Sequence, residues 1–333
     1  MKYKRLGSSG LVVSKLTFGG GSLGVGTNVV GLSKNLGQKQ ATEIVAHCID
    51  AGITSFDTSD DYLMGQSEEL LGKALGKRRK EIILATKTGI PFTTRERNTG
   101  GLSYRRMIEA CDDSLKRMGT DWFDIYYCHF PDRDTPMEES MRAWEFMVTS
   151  GRVRYPALSN YAAWQASKML GMQREGHFSP MICNQVYYSM LGRQIERELV
   201  PMCRDSGLGI IGYEALAGGF LTGKYTRDNP RPAGTRGAQF ANEESGRELF
   251  PGARRSGMGN EYDIVDVLKE MAPRYNCSVA QLTLAWTLSK PWMNSVIFGT
   301  TKLEQVVENI AAVDIKLADE DIAKIDKLSA PPI

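Results

Sequence analysis

Four side chains suited to acid–base chemistry fall at or just beyond the ends of short apolar runs. Asp57 closes Ile53 to Asp57, Tyr62 follows in the next loop, Lys87 directly follows Ile82 to Thr86, and His129 directly follows Phe123 to Cys128. A lysine at the end of Ile82-Ile83-Leu84-Ala85-Thr86 needs a carboxylate partner to stay charged when buried, and Asp57 on the neighbouring strand is the obvious one. A cation held near Tyr62 would favour phenolate, lowering a pKa of ~10 and making the tyrosine a proton donor near neutral pH. His129 would then orient a substrate carbonyl or share the proton. Any one of these residues could be solvated at a sheet edge, but four on adjacent strands argue for a site. Of the other two histidines, His47 reads as helical and His177 as a loop residue, both structural or solvated.

The elements that must carry these residues alternate along the chain. Strand candidates are Lys15 to Phe18, Ile53 to Asp57, Ile82 to Thr86, Phe123 to Cys128, Val153 to Ser159, Ile182 to Val186, Gly209 to Tyr213 and Ser295 to Phe298, each followed by a helical pattern. Eight strand–helix units without a run of strands predict a closed (β/α)8 barrel as one domain over 1–333, whose active residues sit at the C-terminal strand ends. A doubly wound dinucleotide fold is disfavoured. Its GxGxxG would open a helix, whereas the glycine-rich stretch Gly19 to Gly26 leads into a loop, Thr27 to Gly37. Ser67, Ser103 and Ser278 read as helix caps, with Glu68 and Glu69 in a first turn and Gly119 as a stop. Tyr3 to Leu6 and Leu11 to Val13 flank Gly7-Ser8-Ser9-Gly10, predicting a hairpin that plugs the barrel floor. Pro156 removes a ladder donor from strand five and predicts a bulge before Ser159. The segment Thr226 to Asn260, rich in Gly, Pro and Arg, is long enough to act as a lid.

Composition narrows the function classes. A chain of 333 residues that is 42% hydrophobic can bury a large core without disulfides, and a net charge of +2 offers no excess field for nucleic acid. The 6 cysteines show no CxxC pair, so reduced buried thiols are expected rather than zinc ligands. With no apolar stretch after the first residues and no membrane-length apolar window, no membrane partner and a cytoplasmic location are expected.

Phe56-Asp57-Thr58-Ser59-Asp60-Asp61-Tyr62 with Gly65-Gln66-Ser67-Glu68-Glu69-Leu70-Leu71-Gly72 resembles the aldo-keto reductase signature, and Ala85-Thr86-Lys87 resembles its lysine strand. The likeness runs nearly full length, through Arg117 to Asp121, His129 to Asp132, Gly151 to Tyr155, Leu158 to Asn160 and Leu221 to Tyr225. It implies a (β/α)8 reductase that moves hydride from a nicotinamide cofactor to an aldehyde or ketone, with Tyr62 as proton donor, Lys87 and Asp57 tuning it, and His129 positioning the carbonyl. Ser159, Asn160 and Gln185 would take the nicotinamide carboxamide and Tyr213 would stack on the ring. Leu216, Gly218, Leu221 and Lys224 match the pyrophosphate loop after strand seven, with Arg236 as a clamp from the lid. Gly299, Thr301, Lys302, Gln305, Glu308 and Asn309 match the adenosine phosphate site, where Lys302 would bind the 2′-phosphate and where a helix start offers free amides. NADPH (NADP+) is the expected cofactor, with NADH as the alternative.

The chain departs from the family at Glu214-Ala215, where many relatives have Ser-Pro, placing a carboxylate near the cofactor. Phe18, Leu63, Met64, Phe92, Phe130, Tyr161 and Tyr188 are the candidate mouth residues, implying a moderately hydrophobic small-molecule carbonyl substrate. Two other functions compete. One is a cofactor-sensing regulatory subunit with slow turnover, as in relatives that bind potassium channels, against which His129 argues. The other is an aldolase using Lys87 as a Schiff base, against which the partner Asp57 argues by keeping the lysine charged.

Overall fold

The computed structural model describes residues 1–27, 33–90, 98–239 and 259–331. The predicted hairpin comes first, β1 (Tyr3–Arg5) paired antiparallel with β2 (Val12–Ser14). Eight parallel strands then close a barrel: β3 (Leu16–Gly19), β6 (Ser55–Asp57), β7 (Ile83–Thr88), β8 (Phe123–Cys128), β9 (Val153–Ser159), β10 (Cys183–Tyr187), β11 (Gly209–Tyr213) and β12 (Ser295–Phe298). β12 closes on β3 through Val296 opposite Leu16 and Phe298 opposite Phe18. Between β3 and β6, β4 (Gly24–Thr27) and β5 (Ser33–Leu36) form a separate antiparallel pair, so the expected loop at 27–37 is partly a second hairpin.

Alternation along the strands sorts the core into two layers. One set of side chains, including Phe18, Phe56, Leu84, Tyr126 and Leu158, packs outward against the helices. The other fills the barrel floor with Ala85, Ile125, Tyr127, Ala157, Cys183 and Ile211, and the hairpin adds Leu6 and Val13 from below. Burying those two plug residues contributes about 1.5–3 kcal/mol each. Gly7 makes the plug's turn in a left-handed conformation, φ 58°, and any Cβ there would overlap the backbone of Gly207 and Gly209.

The helices begin and end largely where their caps say. Ser103 accepts from the Arg106 amide at the start of the helix Tyr104–Met118, which Gly119 ends in a left-handed conformation. Ser278 and Gln281 form a capping box on Val279–Ser289. Ser67 does not cap its helix. That helix, Gln66–Leu75, starts two residues earlier than a Ser67 cap requires, after left-handed Gly65, and the Ser67 hydroxyl instead donates to the Gly20 carbonyl at 2.7 Å. Pro156 produces no bulge, because β8 and β9 keep one register from Phe123 opposite Val153 to Cys128 opposite Leu158. Its carbonyl accepts from Ile182, so its missing N–H faces the side where β10 has not yet begun, and no ladder bond is lost. Five cysteines are buried, Cys277 is half-buried, and all are free thiols.

Candidate active site at the C-terminal mouth of the barrel

Above the apolar floor, the inward-facing row of each strand turns polar. Asp57, Lys87, Ser159 and Gln185 lie two residues beyond inward positions of their strands, and all four are buried. Lys87 Nζ donates to Asp57 Oδ1 at 2.5 Å and to the Thr58 carbonyl at 2.7 Å, and Gln185 Nε2 donates to Asp57 Oδ2 at 2.8 Å. One carboxylate therefore joins barrel strands from opposite parts of the sequence. Burial is tolerated here because the Lys87 and Asp57 charges meet each other and further hydrogen-bond partners.

Backbone bonds bring the other two groups over this chain. The Thr58 and Asp60 amides donate to the Ala85 and Lys87 carbonyls, laying the loop after β6 along β7, while the His129 amide donates to Thr88. Lys87 Nζ lies 5.0 Å from the Tyr62 ring centre, and Tyr62 and His129 meet edge to face at 5.9 Å. The helix after the loop is anchored by Glu68, a fully buried carboxylate rather than a surface first-turn charge. It accepts from Thr86 Oγ1 and Arg117 Nε, each at 2.6 Å.

The electrostatics correct one expectation. Burial, together with the carboxylates Asp57 and Asp61, pushes the Tyr62 hydroxyl well above its usual range instead of down. Lys87 is occupied by Asp57 and Thr58, so it does not turn Tyr62 into a phenolate. Part of the Tyr62 side chain still meets solvent at the mouth, which moderates the burial effect there. Burial thus holds Tyr62 as the neutral phenol. Burial holds the His129 ring below its ordinary value, against the pull of its neighbour Asp61.

Ser159, Asn160 and Tyr213 form a second connected set. Asn160 Nδ2 donates to the His129 carbonyl at 2.9 Å and to Ser159 Oγ at 3.1 Å, and Tyr213 donates its hydroxyl to Asn160 Oδ1 at 2.7 Å. Leu216 and Gly218 lie in the tight turn after β11, where Ala217, Gly218 and Gly219 are successively left-handed. Leu221 is buried in the core with its amide bonded to Leu216, so it offers the turn's packing rather than a free donor. Lys224 is at the surface, its Nζ 5.3 Å from the Tyr225 ring centre. The departure residue Glu214 is paired with Arg236, Nη1 to Oε1 at 2.7 Å, which neutralises the unexpected carboxylate. Among the described residues, Arg236 Nε and Glu214 Oε2 are buried without a hydrogen-bond partner. Farther round the mouth, Lys302 precedes the helix Leu303–Ala311 at its N-cap position; Gly299, Thr301, Lys302 and Gln305 are exposed. Gln305 Oε1 accepts from the Thr301 amide, and Glu308 accepts from Ser278, tying that helix to its neighbour. Asn309 is buried.

The mouth itself differs from expectation. Met64 and Phe130 are exposed and Leu63 half-buried there, but Phe18 packs on Phe56 and Phe298 behind the barrel wall. Tyr188 is stacked on Trp286 outside the barrel, and Tyr161 is buried; the inward aromatic is Tyr187, edge-on to Tyr213 at 6.0 Å. Phe92 and residues 240–258 of the expected lid lie outside the described residues. Sequence reasoning passed over Asp60, Asp61, Arg106 and the exposed Trp164, although three carboxylates within Asp57 to Asp61 were a visible signal. Among the described residues no cluster of acidic, histidine and cysteine side chains could hold a metal, and no helix is long and apolar enough to cross a membrane.

Residues 15–330 match the model of the aldo/keto reductase family. The chain belongs to that family. This aldo/keto reductase is 35% identical to a probable voltage-gated potassium channel subunit beta of Oryza sativa, over 98% of this chain and 96% of the relative. It is 33% identical to versiconal hemiacetal acetate reductase of Aspergillus parasiticus, over 99% and 98%. It is also 32% identical to L-glyceraldehyde 3-phosphate reductase of Escherichia coli, over 98% and 92%. The aldo/keto reductase barrel, with its mouth chain of Asp57, Lys87 and Gln185 below Tyr62, is accordingly that of an oxidoreductase.

Proposed function

We propose that this chain is an NADPH-dependent reductase of aldehydes or ketones, able to run the reverse oxidation at the same site. The observation that carries the reading is the chain Gln185–Asp57–Lys87 beneath a Tyr62 whose hydroxyl stays protonated. A bound nicotinamide would supply the hydride to the carbonyl carbon. Tyr62 then gives its proton to the carbonyl oxygen as negative charge grows there, leaving an alcohol, and the Lys87 charge, 5.0 Å from the ring centre, steadies the transient phenolate. Ser159 and Asn160 offer the hydroxyl and amide that suit a carboxamide, which needs both donor and acceptor. Tyr213, fixed through Asn160, would stack on the ring. Gly218, Lys224 and Arg236 would hold the pyrophosphate, and Lys302 with the exposed helix start would hold the 2′-phosphate. Met64, Phe130 and Trp164 give the mouth an apolar rim, which favours a moderately hydrophobic carbonyl substrate.

The experiment is titration of the purified protein with NADPH and with NADH, followed by addition of a panel of aldehydes and ketones to the saturated complex. Carbonyl-dependent oxidation of NADPH supports the reading, and failure to bind either nucleotide refutes the site. A second reading, a nicotinamide-sensing regulatory subunit with slow turnover, draws on relatives named as potassium channel subunits in rice and in Arabidopsis thaliana. Binding without turnover across the panel would select it.

A further inference from the structure

The residue immediately before Tyr62 is itself a buried participant. Asp61 Oδ1 lies 3.0 Å from His129 Nδ1, and Ser59 Oγ, also 3.0 Å from that nitrogen, donates its own hydrogen to the same carboxylate oxygen. With the Ser59 hydrogen committed to Asp61, the oxygen of Ser59 can only accept from the ring. Asp61 as a carboxylate can only accept as well. Both neighbours of Nδ1 therefore require a hydrogen on it. Burial opposes ionisation of Asp61, but the hydrogen bonds from His129 and Ser59 and the charge of Lys87 outweigh it and keep the carboxyl below its ordinary value.

We propose that Asp61 is a positioning residue that fixes His129 in the Nδ1–H form, so that Nε2 meets the reacting oxygen as an acceptor when the ring is neutral and as a donor only when it carries a second proton. The inference rests on the proposed placement of His129 against substrate. Two directions of the reaction then want opposite states of one ring. A carbonyl oxygen needs a donor, so reduction is assisted by the imidazolium, whose charge Asp61 compensates. Oxidation passes back through the same arrangement but starts from a site that holds one proton fewer, because the alcohol hydrogen must go to Tyr62, and the neutral ring is the form that has given that proton up. In reduction hydride passes from the cofactor to the carbonyl carbon, Tyr62 gives its proton to the oxygen, and the phenolate is then reprotonated by one proton from solvent; oxidation reverses each step, with the alcohol hydrogen passing to Tyr62 and one proton leaving to solvent. Among the described residues, the titratable groups facing the ring are Asp61 and the neutral Tyr62 from the loop after β6, Asp57 from β6 and Lys87 from β7. Among them Asp61 is the group bonded to Nδ1.

The test has a spectroscopic arm and a kinetic arm. With only 3 histidines in the chain, nitrogen-15 labelling of histidine and a His129→Asn control assign the ring signals directly. The wild-type neutral ring is expected to carry its hydrogen on Nδ1, and Asp61→Ala should shift it towards Nε2, with Ser59 then donating to Nδ1. A wild-type ring protonated on Nε2 overturns the proposal, whatever the activity. In the kinetic arm, kcat/KM for reduction should fall as the His129 ring loses its second proton, and that for oxidation should rise over the same interval. In Asp61→Ala the reduction limb should flatten, because a neutral Nε2–H ring can donate. A reduction profile of unchanged shape in that variant overturns the proposal. If Asp61→Ala fails to fold, the wild-type spectra and Asp61→Asn, which keeps an acceptor without the charge, decide it. Nδ1–H spectra in a protein that reduces nothing would instead count against the proposed function while leaving the Asp61 contact in place.

Discussion

Asp57→Asn isolates what the buried ion pair does. In the wild type, Asp57 Oδ1 is 2.5 Å from a Lys87 ammonium with no exposure to solvent, and Oδ2 takes a 2.8 Å bond from Gln185. The amide keeps an acceptor for one neighbour but removes the negative charge, and it turns an NH2 group toward either Lys87 or Gln185, both donors. Leaving one buried charge without its partner costs about 3–5 kcal/mol, and a frustrated hydrogen bond adds about 1–3 kcal/mol. Urea unfolding at neutral pH, followed by fluorescence and circular dichroism together, should show a loss of at least about 3 kcal/mol. The double variant Asp57→Asn with Lys87→Met removes both charges and should recover much of that loss, giving a coupling of about 1–3 kcal/mol, while remaining inactive. A single variant within about 1 kcal/mol of wild type, or additive losses in the double variant, would refute the ion pair as the element that organises the mouth.

Other consequences follow from the same geometry. Lys302→Ala should weaken NADPH by about tenfold, near 1.4 kcal/mol, while changing NADH little; equal losses measured by fluorescence titration would remove Lys302 from the phosphate site. Burial pushes the Asp60 carboxyl up to about 7, against the Thr88 hydrogen bond and Arg106. Because that value exceeds the unfolded one of ~3.9, the native state holds the extra proton, and this group's contribution to stability declines as pH rises from ~4 to about 7. Asp60→Asn should therefore gain on wild type in urea midpoints across that interval, and parallel curves would contradict the assignment. Gly72→Ala should cost about 1–3 kcal/mol, since its Cβ would lie 2.7 Å from Met118 Cα and closer still to the Met118 carbonyl oxygen; a neutral effect would mean the two helices can separate.

The strands were legible because each apolar run is short, bounded by turn residues and followed by a helical pattern. The polar ends of those runs gave Asp57, Lys87 and His129, and the spacing to Tyr62 did the rest. What escaped the sequence is mostly a matter of one-residue parity. Phe18 and Tyr188 are as apolar as any mouth residue, but alternation sends them to the helix side, while Tyr187 faces Tyr213. Pro156 looked disruptive because sequence alone does not say which neighbour a strand residue's N–H faces, and here that side is empty of strand. Ser67 and Glu68 had the composition of a helix start, yet long-range partners, Gly20 for one and Thr86 with Arg117 for the other, claim them. The direction of the Tyr62 shift needed the positions of Asp57 and Asp61 as well as that of Lys87, and three-dimensional proximity sets their balance.

The most direct test of the central claim compares wild type with Tyr62→Phe, each saturated with NADPH, for reduction of an aldehyde that the wild type accepts. The account predicts that turnover falls by about 10²–10⁴ while NADPH affinity stays within about twofold, because only the proton donor at the reacting oxygen has been removed. Turnover preserved in Tyr62→Phe would contradict it.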